Sequence, residues 1–248
     1  QYIYIEGEND GSFDSTDFIE FYAAKSDGWL DARLYVSASD QSNPYYSIFN
    51  DTATYYLTLS NGNYGQRMGI VNFSTNGTQA TYFFKEDVVS FTDYFNQGEF
   101  YGSADGPSLP LYKAGKGWFR NTINSGQSAS YTFNTSNAFT AAGAPDASIE
   151  IVLTGTNSNS HNLLITYGTS DTADSFSGYL LKKYYMNIPA ANLSPGSILF
   201  KITSTSQPNT QNPDYTALSH IYLKYPRNFN LSGIQKILMT LPPSVAES

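Results

Sequence analysis

Residues 149–153 read Ile149-Glu150-Ile151-Val152-Leu153, and residues 163–167 read Leu163-Leu164-Ile165-Thr166-Tyr167. Both are short apolar runs bounded by Gly, Asn and Asp. Neighbouring side chains on a strand point to opposite faces, so such runs predict strands with a buried side. The same pattern recurs at Tyr2–Ile5, Phe18–Tyr22, Tyr55–Leu59, Met68–Phe73, Tyr82–Phe84 and Tyr131–Phe133. It returns at Ile198–Ile202, Ile221–Tyr225 and Ile237–Leu241. Turn residues separate the runs at Asn61-Gly62-Asn63, Asn76-Gly77, Ser194-Pro195-Gly196 and Asn209–Pro213. Two segments, Val88–Phe95 and Asp214–Ser219, are expected as short helices. No stretch sustains a 3.6-residue period over about 12 residues. The fold class is therefore all-β, an antiparallel β-sandwich.

The strands outnumber those of one simple sandwich. A run of Gly-Pro, Leu-Pro and Gly-Lys-Gly between Gly106 and Gly117 marks an expected boundary. It divides the chain into an aromatic N-terminal β module, 1–112, and a Ser/Thr/Asn-rich β-sandwich with jelly-roll spacing, 113–248. The alternative is one continuous sandwich with a long crossing loop.

Composition narrows the function. The 248 residues carry 13 Lys and Arg against 21 Asp and Glu, a net charge of −8. That balance argues against nucleic-acid binding and a polybasic membrane anchor. Aromatics at 16% against 14% charged residues argue against disorder. No apolar run approaches the roughly 20 residues of a membrane helix, so no membrane insertion is expected. Cysteine is absent, which removes disulfides, thiolate metal sites and a cysteine nucleophile. Abundant Ser, Thr, Asn, Gly and Tyr point to a secreted or cell-surface protein. The N-terminal Gln1, with no initiator Met or signal, reads as a piece of a longer processed protein.

One stretch carries recognisable chemistry. Residues 6–17 read Glu6-Gly7-Glu8-Asn9-Asp10-Gly11-Ser12-Phe13-Asp14-Ser15-Thr16-Asp17. Set against a calcium loop of about 12 residues, Glu6, Glu8 and Asp10 take positions one, three and five. Gly11 takes the sharp-turn position, and Ser12 offers its carbonyl at seven. Asp14 and Asp17 fall at nine and twelve, with Phe13 as the apolar anchor at eight. Glu at positions one and three and Asp at twelve depart from the strict pattern. The expected metal ligands are Glu6, Glu8, Asp10, Ser12, Asp14 and Asp17, and the expected cofactor is a structural calcium ion. The competing reading is an acidic, solvated Asp-Gly hairpin turn that needs no metal.

Other candidates are bland. His161 and His220 each sit at a strand start and read as structural or surface residues. Gly115-Lys116-Gly117 reads as a loop and not a phosphate cradle. Glu20, Asp27, Asp31, Glu86 and Asp87 read as solvated or ligand-like, and a hydrolase built on such carboxylates ranks third among the functions weighed. Sequons occur at Asn50, Asn72, Asn76, Asn134, Asn192 and Asn230, and carry little information in so Asn-rich a chain. Aromatic doublets at Tyr45-Tyr46, Tyr55-Tyr56, Phe83-Phe84 and Tyr184-Tyr185 each place one ring inward and one outward. Outward tyrosines with Trp29 or Trp118 offer a sugar-stacking platform, and the competing reading is that they cover a neighbouring sheet or domain.

A family resemblance follows from longer strings. Tyr4-Ile5-Glu6-Gly7-Glu8-Asn9-Asp10-Gly11 leads into Phe13-Asp14, Asp17 and Ile19-Glu20-Phe21-Tyr22. Ser26-Asp27-Gly28-Trp29-Leu30-Asp31, Asn43-Pro44-Tyr45-Tyr46-Ser47 and Asn50–Thr58 continue the pattern. Tyr222-Leu223-Lys224-Tyr225-Pro226-Arg227 ends it. Together they resemble the region ahead of the catalytic domain in gingipain-like C25 cysteine peptidases and PorU-like type IX secretion proteins of Bacteroidetes. The likeness covers most of 2–112 and, more loosely, 113–240. It implies a secreted or outer-membrane peptidase whose Cys-His pair no position here matches, so no catalytic residue carries over. The expected partners are a downstream peptidase domain of the same chain and secretion or surface proteins. The expected role is a non-catalytic docking and interaction module, and the alternative is a carbohydrate-binding β-sandwich module. An exposed row of coplanar rings favours sugar, and a broad apolar patch favours docking.

Overall fold

The computed structural model describes residues 2–58, 65–69, 79–100, 106–168, 170–208, 211–233, 237 and 239–242. By contacts the chain divides into two units. The first is Gln1–Ser26 with Phe49–Gly77, and the second is Asp27–Ile48 with Thr78–Ser248. The stretch 106–117, where the sequence places a boundary, lies inside the second unit. There the ladder between strands 83–90 and 215–227 ties both sides of that stretch into one sheet. A boundary drawn from Gly and Pro content does not register hydrogen bonds between strands so distant in sequence.

In the first unit, β1 (Ile3–Glu6) and β2 (Phe18–Phe21) form an antiparallel ribbon, with Ile3 opposite Phe21 and Glu6 opposite Phe18. The free edge of β1 is met by residues 66–68. Ile3 N–H donates to the Gln66 carbonyl at 3.0 Å, and Met68 N–H donates to the Ile3 carbonyl at 2.8 Å. Tyr55 packs on Phe21 with ring centroids 5.6 Å apart, and its hydroxyl bonds both the N–H and the carbonyl of Ala24. Residues 55–58, expected as a strand, join no ladder, and the expected strand residues 59 and 70–73 lie outside the described residues.

The second unit is an antiparallel sandwich. Its strands are β3 (Phe83–Ser90), β4 (Tyr94–Gln97), β5 (Lys116–Phe119), β6 (Ile123–Asn124), β7 (Ser128–Asn134), β8 (Ala147–Gly155), β9 (Ser160–Tyr167), β10 (Ser170–Ser177), β11 (Leu181–Ile188), β12 (Ser197–Ser204), β13 (Tyr215–Arg227) and β14 (Met239–Thr240). One sheet runs β10-β9-β12-β7 and the other β11-β8-β13-β3-β14, with β6 also on β13 and β4-β5 a separate ribbon. From β7 to β13 the chain crosses repeatedly between the sheets, as a jelly roll does.

The alternation quoted from the sequence is what fills the space between the sheets. Ile149, Ile151 and Leu153 of β8 meet Leu163 and Ile165 of β9, and Ile198, Phe200 and Ile202 of β12. Each such side chain, withdrawn from water, contributes about 1.5–3 kcal/mol before chain entropy is counted. Tyr184 packs against this core while Tyr185 stands out from it, the inward and outward split expected for the doublet.

Both segments expected as helices are strands. Val88–Phe95 lies across β3 and β4, and Asp214–Ser219 leads into and through the first part of β13. Ladder pairing on both sides of β13 overrides the weak local preference. Lys116 and Gly117, expected in a loop, belong to β5. A register shift falls between Leu218 and His220 on the ladder with β8. Leu218 and Ile221 both face the core, so the period of two breaks at Ser219 and His220 turns to the outer face.

Candidate functional site

The segment Asp27–Ile48 forms a strap on the outer side of the second sheet. Ser219 Oγ and His220 Nδ1 both donate to the Ser42 carbonyl, at 2.9 and 3.1 Å. Ser90 Oγ donates to Asn43 Oδ1 at 3.4 Å, and Tyr35 OH donates to the Lys116 carbonyl at 2.9 Å. Polar side chains lock the strap internally. Asp31 Oδ2 accepts from Ile48 N–H at 2.8 Å, Asn43 Oδ1 accepts from Tyr45 N–H at 3.0 Å, and Gln41 Nε2 donates to the Gly28 carbonyl. Two glycines make this closeness possible. A Cβ on Gly28 would run into the Asn43 and Tyr46 carbonyl oxygens, and one on Gly117 (φ +142°) into Ser42 Oγ.

The strap inverts ordinary polarity. Asp31 is 6% exposed and Asn43 3%, whereas Trp29 is 65% exposed and Val36 64%, with Leu30 and Leu34 also outward. Asp31, expected to be solvated or ligand-like, is thus a buried structural acceptor, because Ile48 N–H and Ser47 Oγ both donate to its carboxylate. Asp27 remains exposed and accepts from Trp29 N–H at 3.1 Å. Trp118 does not offer a platform. Its ring meets Phe95 at 82°, and its Nε1 donates to the Ile48 carbonyl at 3.4 Å.

The acidic loop between β1 and β2 is open. Gly7 and Gly11 both adopt the left-handed conformation, which fits the sharp turns read from the sequence. Asp10 Oδ1 accepts from Ser12 N–H at 2.8 Å, and Asp14 Oδ1 accepts from Thr16 N–H at 2.9 Å and from Thr16 Oγ1 at 2.8 Å. Asp17 Oδ2 accepts from Asp14 N–H at 2.9 Å, and Tyr4 OH bonds Glu6. The Thr16 bonds hold the Asp14 carboxyl below the usual carboxylate range. The side chain of Glu8 lies outside the description. Among the described residues, which leave out the Glu8 side chain, no three acidic or histidine side chains converge on one point, and the Asp10, Asp14 and Asp17 carboxylates each bond within their own turn. Phe13, expected as an apolar anchor, is exposed.

The open half of the second sheet's outer face carries rows of polar and aromatic side chains. Register sets Tyr185 of β11, Glu150 of β8 and Tyr222 of β13 in one row. Lys183, Val152 and His220 form the row beside it, and Asn187, Ser148 and Lys224 the row on the other side. A hollow of about 280 Å³ opens over Ser148, Glu150, Tyr185, Asn187 and Tyr222. Tyr45 from the strap stacks on Tyr222 at an interplanar angle of 2° and meets His220 edge-on. Tyr45 and Tyr222 are parallel, stacked and half-buried rings, and they do not form the exposed coplanar row expected around a tryptophan. Burial, followed by the Glu86 charge and hydrogen bond, raises the Tyr222 hydroxyl well above its ordinary value. Burial lowers His220 to about 4, with Lys183 adding to the effect and the Ser42 bond opposing it. The imidazole is neutral at physiological pH.

A second polar constellation, absent from the sequence reading, is fully buried at Asp214. Its Oδ2 accepts from Asn162 N–H at 3.0 Å and from Ser204 and Ser206 Oγ at 2.8 Å each. Its Oδ1 accepts from Thr216 Oγ1 at 3.1 Å and pairs with His161 Nδ1 at 2.8 Å. Burial pushes the carboxyl up, but these bonds outweigh it and hold it at about 2. His161 Nε2 is buried without a hydrogen-bond partner. The group joins the ends of β9, β12 and β13, a structural role that agrees with the bland reading of His161.

No family model matches the chain, and no curated protein matches it. Among solved structures it is similar to dimeric latent PorU from Porphyromonas gingivalis, at 10% identity over 66% of this chain, with a TM-score of 0.46. That match takes in 15% of the PorU chain, so this sequence spans a small part of that protein's length. It is also similar to a carbohydrate-binding module CBM36 in complex with calcium and xylotriose (16% identity, 55% of this chain, 98% of that one, TM-score 0.32). The CBM36-1 domain of a multidomain xylanase from the hindgut metagenome of Trinervitermes trinervoides aligns at 13% identity over 56% of this chain and 95% of its own, with a TM-score of 0.32. From its own strands and ladders, the chain is an antiparallel β-sandwich module.

Proposed function

We propose that this chain is a non-catalytic N-terminal β module of a secreted or cell-surface, gingipain-like cysteine peptidase associated with type IX secretion. Its work is docking: the outward surface of the strap seats the peptidase domain that follows it in the same polypeptide. The observation that carries this reading is the strap's inverted polarity. Exposing Trp29, Leu30, Leu34 and Val36 while burying Asp31 and Asn43 is unfavourable in water unless the apolar side is covered. Two of the strings that resemble the peptidase family, Ser26–Asp31 and Asn43–Ser47, fall on this segment. Gly28, Asp31, Asn43 and Ser47 hold the strap shut, and Trp29 is presented between them. Calcium in the 6–17 loop is part of the same proposal, supported by the order of its carboxylates and its two left-handed glycines.

The test has two stages. The gene should encode a Cys/His peptidase domain after Ser248. That domain, expressed separately, should bind the 248-residue chain in calorimetry. The double variant Trp29→Ser, Val36→Ser should weaken binding at least about tenfold, or about 1.4 kcal/mol. Because both residues are exposed, the variant's melting curve should match the parent's. A gene with no such domain removes the peptidase role, and binding that the double variant leaves intact removes the strap as the contact.

A further inference from the structure

The outer face of the second sheet carries an unresolved hydrogen-bond demand. His220 is 1% exposed, and its Nδ1 donates to the Ser42 carbonyl, which leaves Nε2 as a lone-pair acceptor. Nε2 has no hydrogen-bond partner, and Glu150 Oε1, also an acceptor, lies 4.0 Å from it. Two acceptors facing each other repel, and a buried acceptor without a donor is costly. The only bond on the Glu150 carboxylate among those on this face is from Tyr185 OH, at 3.3 Å, and Tyr185 is 70% exposed. A single long bond from an exposed ring leaves the Glu150 carboxylate free to accept a second donor beside Nε2.

We infer that this face is a saccharide-binding site. One hydroxyl of a vicinal diol donates to Glu150, its neighbour donates to His220 Nε2, and the sugar's C–H face lies on the Tyr185 ring. Vicinal hydroxyl oxygens stand about 3 Å apart, a spacing that serves two acceptors at this separation with ordinary hydrogen bonds. Charge balance selects a neutral ligand over a cationic one. Glu150 and Glu86 are matched on the face by Lys183 and Lys224, and Lys224 Nζ already lies 3.4 Å from Glu86 Oε1. Lys183 and the Asn187 amide, on either side of Tyr185, supply donors for the sugar's remaining oxygens. A ligand that is both donor and acceptor, with an apolar face, matches this set.

The experiment titrates the intact chain calorimetrically with neutral oligosaccharides of the gluco, xylo, galacto and manno series, and with a lysine-rich peptide. At least one neutral series should bind. Tyr185→Ala and Glu150→Ala should each weaken it about tenfold or more. Tyr56→Ala, on an exposed ring of the first unit, should leave it unchanged. Bound sugar should also move the His220 Nε2 resonance in ¹⁵N NMR, which a contact elsewhere on the sheet would not do. Failure of every neutral series to bind, binding insensitive to Tyr185 and Glu150, or binding of the peptide alone overturns the site. The strap variant Trp29→Ser, Val36→Ser should bind saccharide normally, so docking and sugar recognition fail or stand separately.

Discussion

Replacing Asp214 by Ala strips one buried acceptor from five donors at once: Asn162 N–H, the Ser204, Ser206 and Thr216 hydroxyls, and His161 Nδ1. The hydroxyls can turn to other acceptors, but the Asn162 N–H and the imidazole are fixed by the β9 backbone. Each stranded buried donor costs about 1–3 kcal/mol, and breaking a buried charged contact costs about 3–5 kcal/mol in total. For a unit of this size that corresponds to a fall in melting temperature of about 10 °C. The same carboxylate should govern the acid limb of stability. Its folded value of about 2 lies below the ordinary 3.8, so its contribution is complete above 3.8 and lost as pH falls toward 2. The difference amounts to about 2–3 kcal/mol. Urea unfolding of the parent and Asp214→Ala at neutral pH, and of the parent and Asp214→Asn across this acid range, measures the two quantities. If Asp214→Ala costs less than about 1 kcal/mol at neutral pH, or if the Asn variant keeps the parent's acid slope, the network does not hold the strand ends as argued.

Three further outcomes are expected. Gly28→Ala should cost about 1–3 kcal/mol, because its Cβ meets backbone carbonyls that cannot yield, and limited proteolysis should then cut the strap at Arg33 sooner. His220, neutral in its buried place and near 4 when folded, should drain stability as pH falls from about 6.5 to 4. A His220→Gln variant should show no such loss over that interval in denaturant titrations. Addition of calcium should raise the melting temperature of the parent above that in chelator, with Asp10→Ala or Asp17→Ala abolishing the difference. Coincident curves with and without calcium would remove the metal from the proposal.

The core of the sandwich was readable because β8, β9 and β12 alternate cleanly, and burial of one face follows directly from that period. The errors lie where local signals are weak or where long-range pairing overrules them. Val88–Phe95 and Asp214–Ser219 carry enough mixed polarity to suggest a turn of helix, yet ladders on distant strands extend them. The first loop shows a related division. Its acidic order and its glycines are visible in the sequence, whereas the direction of the Asp10, Asp14 and Asp17 carboxylates is set by which backbone N–H lies nearest. Asp214 escaped notice because most of its partners come from the ends of β9 and β12, far away in sequence, and nothing in its immediate neighbours marks it as buried.

The amino-acid order alone determined the all-β class, the inward set of apolar residues and the splitting of Tyr184 from Tyr185, since each depends on a period of two within a few residues. Tertiary structure decided that β13 shifts register at Ser219 and turns His220 outward, that Glu150 faces its lone pair, and that the strap hides acids while showing Trp29. Those outcomes rest on contacts between segments far apart along the chain, whose energies no local pattern encodes.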